Sequence, residues 1–306
     1  MTLAFLNLSW FALTNGLELG GIYALMAVGI GLVFGVLRLV NFAYGQLIMA
    51  GGFALAFGQQ WGLPNWLSIL FCIGVVLVLS LLMDRVVFRP LRGHSPAVML
   101  VTTFAVSFIL LNVALLAFGS YGKTAGAFGF LNMPVDIGGV AVKKLSIIAI
   151  VTAAVCLGLL QLLLTRTPLG LHMRAASMDF KTAQLLGIRA NRVIVGAVVI
   201  SALFAAIAAV LLSAEQMQIT STFGLYETIA VLAGVVAGGM NRPIAATLGG
   251  FTIGFATGLL YAVLPPAPAS FSSEYVPTVI FGAVIVALLF RPNGLFTRGG
   301  GSVERL

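Results

Sequence analysis

Nine stretches of the chain are almost wholly apolar, and polar residues gather in the gaps between them. The first four run over about Ser9–Phe34, Phe42–Phe57, Pro64–Phe88 and Ala97–Gly119. After a longer gap come Leu145–Leu164 and Val193–Leu212, then two shorter pieces, Leu225–Gly239 and Ile244–Leu264, and a last stretch, Val276–Phe290. A helix needs roughly 20 mostly apolar residues to cross a bilayer, so most of these are long enough. The pattern predicts an all-α polytopic membrane protein with eight or nine transmembrane or re-entrant helices.

One gap has a different period. Within Arg166–Arg192, the residues Met173, Ala176, Phe180, Ala183 and Gly187 fall on one helical face. Arg174, Ser177, Lys181 and Gln184 fall on another. The spacing predicts a short amphipathic helix over Arg174–Gly187, lying outside the spans. Such a helix either rests on the lipid headgroups or is presented to a cytoplasmic partner.

Composition supports the membrane assignment. Of 306 residues, 60% are hydrophobic and only 8% are charged, whereas a soluble domain carries about 25% charged residues. Met1–Trp10 has no Lys or Arg, so the basic start of a secretory leader is missing and the first stretch is expected to be a span.

A net charge of +8 is compatible with nucleic-acid binding, but the basic residues sit at the ends of apolar stretches. Cytoplasmic loops are rich in Lys and Arg. Applying that rule to Arg85, Arg89 and Arg92, to the Arg166–Arg192 loop, and to Arg291, Arg298 and Arg305 gives one consistent topology. Alternation then adds Arg38 and Arg242, leaving +10 inside and −2 outside. The N-terminus is expected outside and the C-terminus in the cytoplasm. Parity leaves 225–264 open: two crossings or a re-entrant hairpin turning at Gly238–Pro243 both satisfy it.

Glycines recur every four residues at Gly250, Gly254 and Gly258, at Gly31 and Gly35, and at Gly234 and Gly238. In lipid this spacing lets helix backbones approach closely. Gly51–Phe57 also faintly echoes Gly249–Phe255, each following an Asn (Asn41, Asn241). The echo suggests an internal repeat, and chance similarity between Gly/Phe-rich helices explains it equally well.

No catalytic constellation is present. Gly122-Lys123-Thr124 is a fragment of a phosphate loop, but Ala117 stands where that loop needs its first Gly. His94 and His172 lack partners at metal-ligand spacing. Cys72 and Cys156 sit in apolar stretches and read as small hydrophobes. No catalytic residue, metal site or resident cofactor is expected.

The order Arg174-Ala175-Ala176, Asp179, Ala183 and Leu185-Leu186-Gly187-Ile188, just before a span, resembles the coupling loop of ABC importer permeases. It is closest to the branched-chain amino acid permease family of the LivH type. Gly20–Gly29 with Val40–Gln46, and Gly238–Gly250 with Arg291–Phe296, resemble that family's first and closing blocks. Tyr44 and Gln46 depart from the His and the acid common there.

The resemblance implies one permease domain over 1–306, with its coupling loop at 166–192, in a bacterial cytoplasmic (inner) membrane. Arg174, Ala175, Ala176, Ser177, Asp179, Lys181 and Gly187 would contact the ATPases. The implied partners are a second, LivM-like permease, two cytoplasmic ABC ATPases holding ATP and Mg, and an external solute-binding protein. The implied solute is a branched-chain or other hydrophobic amino acid, with urea or short amides as the alternative. An autonomous secondary transporter would instead need ion-coupling carboxylates within spans, for which Glu18 is the sequence candidate. Polar residues in spans are costly and mark pathways. Asn41, Phe42, Tyr44 and Gln46, with Glu227, are therefore expected along the substrate path.

Overall fold

Long apolar runs satisfy their own backbone hydrogen bonds only as helices, and helices dominate the fold. A computed structural model describes residues 2–37, 40–91, 94–137, 140–178, 180–239, 243–264, 275–291, 294 and 296. In chain order they are α1 (Thr2–Leu37), α2 (Tyr44–Gln60) and α3 (Asn65–Met83). α3 continues through one π-helical turn, Asp84–Phe88, into the short α4 (Arg89–Leu91). Next come α5 (Pro96–Phe118), α6 (Lys144–Arg166), α7 (Pro168–Met178), α8 (Phe180–Leu185) and α9 (Ala190–Gln216). The chain ends in α10 (Leu225–Gly238), α11 (Pro243–Val263) and α12 (Val276–Phe290). Six of these helices contain stretches long and apolar enough to cross a membrane, in α1, in α3 with its continuation, and in α5, α6, α9 and α11.

α1 is the axis. Its most apolar stretch is 89% buried, against 28% for α3, 22% for α5 and 17% for α6. The outer helices turn Val78, Phe108, Leu116 and Leu159 outward. That arrangement suits a hydrocarbon solvent, in which packing and small residues hold helices together.

The strongest seam joins α1 to α11, and its glycines explain it. A Cβ on Gly250, Gly254 or Gly258 would fall on the α1 backbone at Tyr23, Leu19 or Asn15 respectively. In return, α1 offers Gly16 and Gly20 to the rings of Phe255 and Phe251. The same logic joins α10 to α11, where Gly234 meets Gly249 O and Gly238 meets Ala245 O. The expected glycine spacing works on α10 and α11 and half-fails on α1: Gly31 faces Ala246, whereas a Cβ at Gly35 would meet open space. The two copies of Gly-Gly-Phe both serve close approach. Gly51 abuts Ala209 and Val76, and Gly52 abuts Phe223, while Gly249 and Gly250 serve α10 and α1.

Two features differ from the sequence reading. The gap between α5 and α6 is folded rather than a plain link. β2 (Pro134–Ile137) and β3 (Val140–Lys143) form an antiparallel hairpin after a 3₁₀ turn at Gly126–Asn132. β1 (Lys123–Thr124) pairs with β4 (Gln218–Ile219), beyond the end of α9. The lysine of the Gly-Lys-Thr tripeptide therefore lies in a strand, with its Nζ 5.6 Å from the centre of the Phe57 ring. Strands this short leave no usable period in a sequence.

The second difference is the link Met217–Gly224. It is not helical, yet it lies inside the bundle: Gly45 abuts Gly224 O, Gly224 abuts Ile48, and Gly52 abuts Ile219 and Phe223. Irregular backbone at such depth is tolerated when protein covers it. Met217 (φ 55°) and Gly224 (φ 78°) make the two left-handed turns that reverse the chain. α10 has 14 residues, about 21 Å at 1.5 Å per residue, short of the roughly 30 Å hydrocarbon core. α11, at 21 residues, is long enough. The turn residues 240–242, including Asn241 and Arg242, lie outside the described residues.

Candidate functional site

Two regions carry polar side chains in functional arrangements, and they lie at opposite ends of the helix axes. The first is the α7–α8 pair between α6 and α9. Pro168 starts α7, so Leu169 and Gly170 lie inside the helix instead of preceding it. A Cβ on Gly170 would fall on the Leu163–Leu164 backbone, so glycine permits the sharp turn from α6 into α7. The expected helix over Arg174–Gly187 is helical on both sides of Asp179, in α7 and α8, and ends at Leu185; Asp179 itself lies outside the described residues. Gly187 follows α8 in the left-handed region at φ 86°, where a glycine carries little strain.

The expected faces hold in part. Met173, Ala176 and Ala183 are buried, and Met173 packs with Leu169 against Gly196 of α9. Arg174 is exposed, Ala175 and Ser177 are half-buried, and the Ser177 hydroxyl donates to Arg174 O at 2.7 Å. Lys181 lies on α8, but its side chain is outside the described residues. Gly187, assigned to the apolar face, is exposed instead, because α8 has ended before it. Leu171, Leu185 and Leu186 are also exposed, at 58%, 88% and 79%. The pair thus offers Arg174 and bulky apolar side chains outward, while Leu169, Met173 and small residues face the bundle.

The second region is a cavity of about 400 Å³ between α1, α9, α10, α11 and α12. Its polar lining comes from Tyr23, Glu215, Gln216, Tyr226, Glu227 and Tyr261. Leu19, Leu212, Ile280 and Phe281 supply apolar wall. A second chamber of about 200 Å³ shares Leu19, Glu215 and Tyr261 with it and adds Glu18 and Lys143. The Gln216 amide donates to Glu227 Oε1 at 2.6 Å, bridging the end of α9 to the first turn of α10. Glu18 is 2% exposed and takes a short hydrogen bond from the Ser146 hydroxyl of α6. Among the described residues, Glu18 Oε1 and Glu215 Oε2 are buried without a hydrogen-bond partner. Asn132 donates to Ala214 O at 2.8 Å, tying the 3₁₀ turn to the last turn of α9 beside the cavity.

Of the five residues expected along the path, only Glu227 lines this cavity. Asn41 is buried, and its Oδ1 accepts from Ala43 N at 3.0 Å at the start of α2. Tyr44 is fully buried; its hydroxyl donates to Ser201 O at 3.4 Å and occupies the space a Cβ on Gly29 would need. Gln46, also fully buried, donates from Nε2 to Ser107 Oγ of α5 at 3.2 Å. Phe42 stacks edge-on against Phe104 at 6.0 Å. Phe42, Tyr44 and Gln46 thus contact neighbouring helices, while Asn41 bonds locally at the start of α2.

Glu215, Tyr23, Tyr226 and Tyr261 were not singled out in the sequence. Glu215 could have been: α9 runs four residues beyond the apolar stretch that ends at Leu212 and so carries a carboxylate within its last turn.

The fold places the chain in a class. It superposes on a chain from an inward-facing structure of a metal-chelate type ABC transporter with a TM-score of 0.51 at 17% identity, covering 91% of this chain and 87% of that one. The architecture is therefore that of a polytopic helical membrane protein sharing that chain's fold. The chain belongs to the branched-chain amino acid transport system / permease component family, whose profile matches residues 12–289. Among its relatives, the high-affinity branched-chain amino acid permease BraD of Pseudomonas aeruginosa is 31% identical, with 94% of this chain and 95% of BraD covered. The corresponding LivH of Salmonella typhimurium is 30% identical, with 93% and 94% covered.

Proposed function

We propose that this chain is the pore-forming permease of an ATP-driven importer for branched-chain or other hydrophobic amino acids in a bacterial inner membrane. Family membership supports the solute class. The observation that carries the mechanism is the outward face of α7 and α8, with Arg174, Leu171, Leu185 and Leu186 exposed while Met173 and Leu169 anchor α7 on Gly196 of α9.

In this reading a second, LivM-like permease completes the pore. Two cytoplasmic ATPases, holding ATP and Mg, dock on Arg174–Gly187, and an external binding protein delivers the solute. Closure of the ATPases moves α7 and α8. Because Met173 and Leu169 pack on Gly196, that movement passes directly to α9, whose far end bears Glu215 and Gln216 on the cavity. Alternating access follows if the cavity opens to one side and then the other. This topology puts the N-terminus and the β2–β3 hairpin outside and the C-terminus inside. The link Met217–Gly224 and α10 together make one crossing, giving nine membrane segments.

Co-purification from native membranes tests the assembly: an ATPase pair and a second permease should accompany the chain. A chain that purifies alone and transports alone contradicts it. A second reading draws on Glu18 and Glu215 lying within α1 and α9, since an ion-coupled secondary transporter needs such carboxylates. Uptake that persists without any ATPase would select it.

A further inference from the structure

The cavity is unbalanced in charge. Glu18, Glu215 and Glu227 line the two chambers, and among the described residues Lys143 is the one basic residue lining them. The Lys143 ammonium also lies 5.6 Å from the centre of the Phe11 ring, so part of its field is directed there. A buried carboxylate oxygen without a donor loses its hydration without return. Glu18, 98% buried by its 2% exposure, leaves Oε1 in that state, and Glu215 leaves Oε2 in it, among the described residues. Both groups line the chamber they share. At its wider part the cavity carries the rings of Tyr226 and Tyr261, exposed at 69% and 47%. Aromatic faces attract cations. Leu212, Ile280 and Phe281 also line it. The volume of about 400 Å³ falls within the roughly 300–1,000 Å³ typical of small-molecule sites.

We propose that this cavity is a transit site that selects a primary ammonium group on an apolar body, held between Glu215 and Glu227. The ammonium supplies three donors, meeting the unpartnered Glu215 oxygen and the Glu227 carboxylate, while Glu18 and the tyrosine rings add to the attraction. The apolar body lies on the Leu212, Ile280 and Phe281 wall. This rests on the importer reading and adds to it the chemical group that the membrane subunit recognises. A neutral amide or urea lacks the charge that the three carboxylates are arranged to meet.

The test uses the purified full-length chain in lipid nanodiscs and labelled isoamylamine, which has the ammonium and the branched apolar body but no carboxylate. Saturable binding is expected. Unlabelled isoamylamine and leucine should compete for the bound label, and 4-methylpentanoate, which has the same body without the ammonium, should compete at least about tenfold more weakly. Glu215→Gln and Glu227→Gln should each weaken binding about tenfold or more, and Glu227→Asp should retain most of it. Absence of saturable isoamylamine binding, equal competition by 4-methylpentanoate, or unchanged binding in both Gln variants would each overturn the site. The comparison of competitors on the unaltered chain needs no variant to fold. Failure of the importer reading shows separately, as loss of amino-acid uptake by cells carrying the complete system, whatever the nanodisc result.

Discussion

The two polar regions are built in opposite senses. In the α7–α8 pair, Met173, Ala176 and Ala183 face the bundle while Arg174 and the leucines face out. In the cavity, Glu18 and Glu215 are turned into the bundle and leave oxygens unpartnered among the described residues. The first arrangement is cheap to maintain, because Met173, Ala176 and Ala183, the described buried side chains, are apolar, and it suits a surface that must engage another protein. The second is expensive, because carboxylates are taken out of water. An expensive arrangement persists where a ligand or a mechanism uses it. α9 joins the two, with Gly196 under α7 and Glu215 on the cavity, so the cheap surface can drive the expensive one.

The comparison breaks first if the seam that fixes both regions is disturbed. Gly254→Leu would drive a side chain into the α1 backbone at Leu19. Overpacking costs typically about 1–3 kcal/mol where side chains can shift, and more where backbone must move. The expected outcome is loss of most folded protein from membranes, read by size-exclusion chromatography after detergent extraction.

Glu227→Gln should leave folding intact and lower the maximal uptake rate of the complete system at least about tenfold, a loss of about 1.4 kcal/mol. Membrane level and ATPase co-purification should not change. A normal rate would place the cavity off the solute path.

A smaller effect is expected at Gln46→Leu. It removes one interhelical hydrogen bond, from Gln46 Nε2 to Ser107 Oγ, worth about 0.6 kcal/mol on average in membranes. Thermal stability should fall by about 1–2 °C, with uptake within about twofold. A tenfold loss of uptake with unchanged stability would place Gln46 on the path.

The smallest effect is expected at Gly35→Ala. A Cβ there meets nothing within 4 Å, and Ala is the better helix former by about 1 kcal/mol. Thermal stability should hold or rise slightly, in contrast to Gly254.

The helices were legible because hydropathy alone places them: the last stretch, Val276–Phe290, matches α12 residue for residue, and most others agree within three or four. The glycine seam on α11 was also legible, since spacing by four identifies one helix face. Its partner was not, because nothing in the spacing says that Gly254 meets Leu19. The amphipathic face of α7 could be read because it lies within eleven consecutive residues. The cavity could not, because it joins residues from Leu19 to Phe281 across five helices. Tyr44 and Gln46 could be picked out as polar residues inside a span, but their partners, the Ser201 carbonyl and the Ser107 hydroxyl, could not.

The central claim is that α7 passes the work of partner ATPases to a solute cavity at the other end of α9. Solute uptake and ATP hydrolysis measured together in vesicles bearing the complete transporter with Arg174→Glu test it most directly. Hydrolysis should continue while solute moved per ATP falls at least about tenfold. An unchanged ratio of transport to hydrolysis would contradict the account.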